Sequence, residues 1–76
     1  MTNLTIETNE IKGTNEMRVV LTEGKYCVAY NVDAYTYTSI ARTLLRCANI
    51  EVANNLLISN GAKRIECLSF YKSFAM

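Results

Sequence analysis

Between Met17 and Val32 the chain alternates its side chains with a period of two on either side of Glu23-Gly24, and no other stretch limits the fold as strongly. Met17, Val19 and Leu21 alternate with Arg18, Val20 and Thr22. Beyond the turn, Tyr26, Val28, Tyr30 and Val32 alternate with Cys27, Ala29 and Asn31. Successive side chains of a strand point to opposite faces, so this is a β-hairpin with one apolar face. A two-residue loop at Glu23-Gly24 sets Leu21 opposite Tyr26, Val19 opposite Val28 and Met17 opposite Tyr30. A loop at Gly24-Lys25 changes the partners but leaves the same apolar set on one face. A sheet is therefore the centre of the fold. Tyr26 and Tyr30 are expected in its floor rather than at a binding surface.

Leu4 and Ile6 alternate with Thr5 and Glu7, which reads as a first strand over 3–9, turning at Lys12-Gly13-Thr14-Asn15 into strands over 16–22 and 25–32. From Tyr37 the period changes. Tyr37, Ile40, Ala41, Leu44, Leu45 and Ala48 recur at helical spacing, which predicts a helix over 36–49 with Thr36 or Thr38 as its cap and Asn49 as its stop. Ser39, Arg42, Thr43 and Arg46 fall on the opposite face. Such a helix is about 21 Å long at ~1.5 Å per residue, a match for strands of about 23 Å.

Residues 50–62 admit two readings. Ile50, Ala53, Leu56 and Leu57 continue a helical pattern, with Gly61 as a C-terminal cap. Alternatively, Asn60-Gly61 is a type I′ turn joining a strand over 55–59 to one over 62–71, with Leu56 facing Ile65 and Ser59 facing Ala62. The hairpin is the preferred reading. The expected fold is α+β: a four- or five-stranded, mainly antiparallel sheet with one face covered by a helix, in the order β-β-β-α-(β or α)-β.

At 76 residues the chain makes one domain, of a size that buries only about 60% of its unfolded surface. Such a chain has room for one sheet against one helix, and a deep catalytic pocket is not expected. Eight basic and seven acidic residues leave a net charge of +1, which argues against a DNA mimic and against nucleic-acid binding driven mainly by counterion release. Histidine is absent and Asp33 is the lone aspartate, so the usual general acids and bases are scarce. The glutamates read as solvated surface. Cys27, Cys47 and Cys67 lack both CxxC spacing and a histidine partner; they read as reduced, mostly buried thiols, not as a nucleophile or a zinc site. Gly13, Gly24 and Gly61 all fall in turns, leaving no phosphate loop. No enzyme activity, metal or cofactor is expected. The longest apolar runs fall far short of the roughly 20 residues a spanning helix requires. Neither a membrane span nor a signal peptide is expected, and the cytoplasm is the expected compartment.

The candidate contact residues are surface ones. Arg42 and Arg46 lie one turn apart on the outer helix face, where they suit phosphate or an acidic protein partner; a solvated helix face with arginine near the end that the dipole favours is the preferred account of them. Lys63 and Arg64, beside Asn60-Gly61, extend that patch. Tyr35 at the strand–helix junction and Tyr71 near the end are the least constrained aromatics. Phe70, Tyr71, Phe74 and Met76 offer a tail for packing on the sheet or for a homodimer contact. Val20, Cys27 and Ala29 form a small apolar strip on the sheet's reverse side, beside Arg18 and Lys25.

In size and element order, carried by the stretches RVVLTEGKYCVAYNV, TSIARTLLRCAN and LLISNGAKRIECLSF, the chain resembles the small phage-encoded anti-CRISPR proteins that act on type I effector complexes. The resemblance implies a stoichiometric inhibitor whose partner is a larger protein complex of a bacterial host, a CRISPR effector among them. It assigns no individual residue a role, because such inhibitors share no common site. A nucleic-acid-binding module using Arg42, Arg46, Lys63 and Arg64 is the less favoured alternative, alongside a small oligomerising subunit.

Overall fold

A computed structural model of the chain describes residues 4–65. The elements run β1 (Leu4–Glu10), β2 (Glu16–Glu23), β3 (Tyr26–Asp33), α1 (Ala34–Leu45), α2 (Ile50–Ser59) and β4 (Lys63–Ile65). The four strands form one antiparallel sheet in the order β1-β2-β3-β4. Both helices pack on the same face of it, α1 on β2 and β3 and α2 on β2. The α+β class and the antiparallel sheet agree with the sequence pattern, with two helices in place of one.

The hairpin uses the second of its two available loops. Leu21 faces Val28, Val19 faces Tyr30 and Met17 faces Val32, while Glu23 faces Tyr26. The cause lies in Gly24, whose φ of +60° stands at the first loop position while Lys25 keeps a negative φ. A type II′ turn requires that combination, with glycine leading. As period-two geometry demands, the shift leaves the apolar face unchanged: Val19, Leu21, Val28, Tyr30 and Val32 are all buried. Tyr26 is the exception. It lies beside the Gly24-Lys25 turn, at the closed end of the hairpin, and is 70% exposed, so it is not part of the core floor.

The α1 helix begins two residues earlier than the periodicity predicts and ends earlier too. Asp33, not Thr36 or Thr38, is its cap, its Oδ2 accepting from the Thr36 amide at 3.1 Å. Ile40 and Leu44 are buried, but Leu45 is exposed and Ala48 lies beyond the helix. Asn49 does not stop α1. It starts α2, with its Oδ1 accepting from the Val52 amide at 2.9 Å.

Residues 55–59 are helix, not strand. Asn60-Gly61 ends α2 in a Schellman motif: the Gly61 amide donates to the Ile58 carbonyl at 3.1 Å and the Ala62 amide to that of Leu57 at 3.0 Å, with Gly61 at φ +87°. The motif's hydrophobic contact is present as well, since Leu57 and Ala62 are both buried in the core cluster. Ile65 pairs with Ala29 rather than Leu56, and the final strand begins at Lys63. Its predicted continuation to Tyr71, with Cys67 and the aromatic tail, lies outside the described residues.

Helix and hairpin readings of 50–59 make opposite demands on neighbouring side chains. In the helix Leu57 has no exposed surface, whereas Ile58 is 46% exposed; in a strand Ile58 would share the inner face with Leu56. Leu57→Ala is expected to cost ~2–5 kcal/mol in urea unfolding, and Ile58→Ala about 1 kcal/mol or less. The reverse order would restore the hairpin.

Candidate functional site

Two surfaces bring polar and aromatic groups together outside the core. The first is the outer face of α1. Tyr35, Ser39, Arg42 and Arg46 follow one another at intervals of four, three and four residues, so they lie in one line along a helix of 3.6 residues per turn. All four are exposed, Tyr35 by 82%, and the line is about 16 Å long at ~1.5 Å per residue. Leu45, 67% exposed, flanks it. Arg46 is the C-cap of α1, and its amide donates to the Thr43 carbonyl at 3.1 Å. No acidic residue occurs in α1, so no carboxylate on the same helix neutralises these guanidinium groups.

Lys63 and Arg64 do not extend this line, because they belong to β4 and point to opposite faces of the sheet. Lys63 pairs with Asn31 on the reverse side, in a row where the Arg18 guanidinium donates to Asn31 Oδ1 at 2.8 Å. On that side Val20 and Ala29 are buried, in a row that runs Glu7, Val20, Ala29 and Ile65 across the sheet. Arg64 pairs with Tyr30 and faces the helices. Tyr71 lies outside the described residues.

The second surface is a cavity of about 210 Å³ between β3, β4 and α2. Its apolar lining is Val28, Ile50 and the ring of Tyr30. Tyr26 stands at its mouth, and Asn54, Arg64 and Glu51 supply the polar groups. The Tyr30 hydroxyl donates to Asn54 Oδ1, which satisfies a polar atom carried inward by a fully buried ring. Burial pushes the Tyr30 phenol above its ordinary pKa, partly offset by the nearby Arg64 charge. The N-terminus of α2 is already occupied: Glu23 Oε2 accepts from the Ile50 amide at 3.1 Å and Asn49 from that of Val52. Among the described residues neither Arg64 nor Glu51 forms an ion pair.

Sequence reasoning missed this cavity. The strand alternation puts Tyr26 in the core, the sequence reads Glu51 as solvated surface, and the hairpin reading leaves 50–54 ahead of a strand. The signal was present in the helical alternative, since Ile50 and Asn54 are one turn apart and Glu51 lies three residues before Asn54.

Cys27 shares a hydrogen bond with Thr22 at 3.6 Å, and the Cys47 thiol donates to the Thr43 carbonyl at 3.4 Å with its pKa raised by burial. Among the described residues no three potential metal-binding side chains gather, and no helix is long and apolar enough to cross a membrane. No family model, curated protein or solved structure matches this chain.

The raised Tyr30 pKa has a defined sign in stability. The unfolded tyrosine loses its proton near its ordinary value of 10.0, the folded one only at higher pH. Between the two values the folded state binds more protons, so the contribution is complete below the unfolded value and falls as pH rises through this window. Tyr30→Phe is expected to flatten that alkaline decline in denaturant unfolding. At neutral pH the variant loses about 1 kcal/mol, because Asn54 Oδ1 is left without its donor. An unchanged alkaline slope would show that Tyr30 is not the group responsible.

Proposed function

We propose that this chain is a non-enzymatic protein-binding module, a phage or mobile-element inhibitor of anti-CRISPR type that blocks a bacterial defence complex by stoichiometric binding. The observation that carries this reading is the exposed line of Tyr35, Arg42 and Arg46 on α1, with Leu45 beside it. Tyrosine and arginine are the residues in which protein interfaces and their energetic centres are enriched. A helix with two arginines and no carboxylate suits an acidic partner surface, where charge complementarity speeds encounter and sets orientation. The likeness in size and element order to small anti-CRISPR proteins names the class of partner, a multi-subunit effector of the host cytoplasm.

The test is a pull-down and a competition assay of the purified chain against type I effector complexes. A complex of fixed stoichiometry is expected, weakened at least tenfold by combined Arg42→Glu and Arg46→Glu, a loss of about 1.4 kcal/mol or more. Tyr35→Ala is expected to weaken it separately, with unfolding midpoints unchanged because all three side chains are exposed. Failure to retain any effector complex would sink the inhibitor reading. Salt-sensitive oligonucleotide binding abolished by the same arginine changes would replace it with a nucleic-acid function, in which Arg42 and Arg46 meet phosphates and Tyr35 stacks on a base.

A further inference from the structure

The cavity between β3, β4 and α2 contains no residue of α1 and stands apart from the surface just discussed. Its volume of about 210 Å³ is below the ~300–1,000 Å³ of sites for drug-sized ligands, which leaves out nucleotides and most cofactors. It is comparable to one large amino-acid residue. The floor is apolar, made by Val28, Ile50 and the Tyr30 ring, and Tyr26 offers an aromatic wall that is largely in solvent.

The polar groups are arranged around that floor by charge. Arg64, held on the helix side of the sheet by its pairing with Tyr30, brings a guanidinium with a planar fork of donors. Asn54 uses its Oδ1 to accept from Tyr30, so its amide nitrogen remains a donor. Glu51, in the first turn of α2, brings a carboxylate. These two opposite charges line one small cavity without forming an ion pair. A lone anion would meet Glu51 and a lone cation would meet Arg64. A ligand with one charge of each sign meets both favourably.

We propose that this cavity binds a free apolar or aromatic α-amino acid as its zwitterion. The ligand carboxylate lies against Arg64 and the Asn54 amide, its ammonium group against Glu51, and its side chain on Val28, Ile50 and the two tyrosine rings. The backbone amides at the start of α2 take no part, because Glu23 and Asn49 occupy two of them.

The test is a titration of the full chain followed by amide chemical shifts, with L-phenylalanine and L-leucine as probes and glycine as the ligand lacking a side chain. Saturable shifts are expected for phenylalanine and leucine at Tyr30, Asn54 and Arg64, and none for glycine. L-phenylalaninamide, which lacks the carboxylate, and N-acetyl-L-phenylalanine, which lacks the ammonium, are each expected to bind about tenfold more weakly, the scale of a lost charge-assisted hydrogen bond. Arg64→Gln is expected to erase the difference between phenylalanine and its amide. Glu51→Gln is expected to erase the difference between phenylalanine and its N-acetyl form. Both residues are exposed, and an unchanged spectrum outside the cavity verifies that each variant is folded. Two results would overturn the proposal: no saturable shift at these residues with any probe, or binding of the doubly capped N-acetyl-L-phenylalaninamide as tight as that of free phenylalanine. The second would make the cavity a slot for a peptide side chain.

Discussion

A tyrosine ring with no exposed surface carries its hydroxyl into the protein with it, and a buried hydroxyl without a partner costs free energy of the same order as a large part of a small domain's stability. Tyr30 is such a ring, and the arrangement of both layers follows from how its hydroxyl is answered. Its backbone lies between Val19 of β2 and Arg64 of β4. Its ring fills the space beneath the helices, and its hydroxyl reaches Asn54 of α2. That bond and the buried apolar face of α2 agree on one rotation of the helix about its axis. Ala53 and Leu57 then turn into the core, while Ile50 and Glu51 turn toward the cavity. One residue therefore takes part in the sheet's inner surface, the seat of the second helix and the floor of the cavity.

The same dependence explains which features were readable in the sequence. The sheet was legible because alternation survives an error in the turn: Met17, Val19, Leu21, Val28 and Tyr30 occupy one face under either loop, and only their partners change. The Arg42–Arg46 pair was legible for a similar reason, since helical spacing alone puts those residues together; Tyr35 joins their line because α1 begins at Ala34, two residues before the start the periodicity predicts. Asn60-Gly61 was misleading because a type I′ turn and a Schellman cap both require a glycine at positive φ, and the dipeptide does not say which one it serves. Its neighbours distinguish them. Leu57 and Ala62 are buried together as a Schellman cap requires, whereas the hairpin reading would turn Leu56, Ile58 and Ile65 inward on the opposite face. Asp33 is not recognisable as a cap from the sequence because it also closes a strand, and the two residues between it and Thr36 give no apolar repeat. Of the cavity, only the α2 side (Ile50, Glu51 and Asn54) is legible, from helical spacing; the hollow itself joins β3, α2 and β4 and exists only once the layers have packed.

The two candidate surfaces differ in physical kind. The α1 line is convex, charged with one sign and fully hydrated, so its contribution to any complex depends on a partner that supplies opposite charge and excludes water. The cavity is concave, partly apolar and lined by both signs, and it discriminates by the spacing of charges rather than by their sum. A chain with a net charge of +1 thus presents one strongly basic helix face and one internally balanced hollow, a contrast that the overall composition averages away.

The strand order β1-β2-β3 follows the chain, and this bears on how the protein comes into being. The pairings of β1 with β2 and β2 with β3 close short loops at small entropic cost, so a three-stranded meander forms from neighbouring segments. The pairing of β3 with β4 must wait for everything between Asp33 and Lys63, both helices included. Until those helices arrive, the row of Val19, Leu21, Val28 and Val32 faces water. During synthesis from the N-terminus, the first half of the chain emerges with this apolar side uncovered, and the residues that cover it follow later. For a nascent chain, the interval between these events is the period of greatest exposure to self-association.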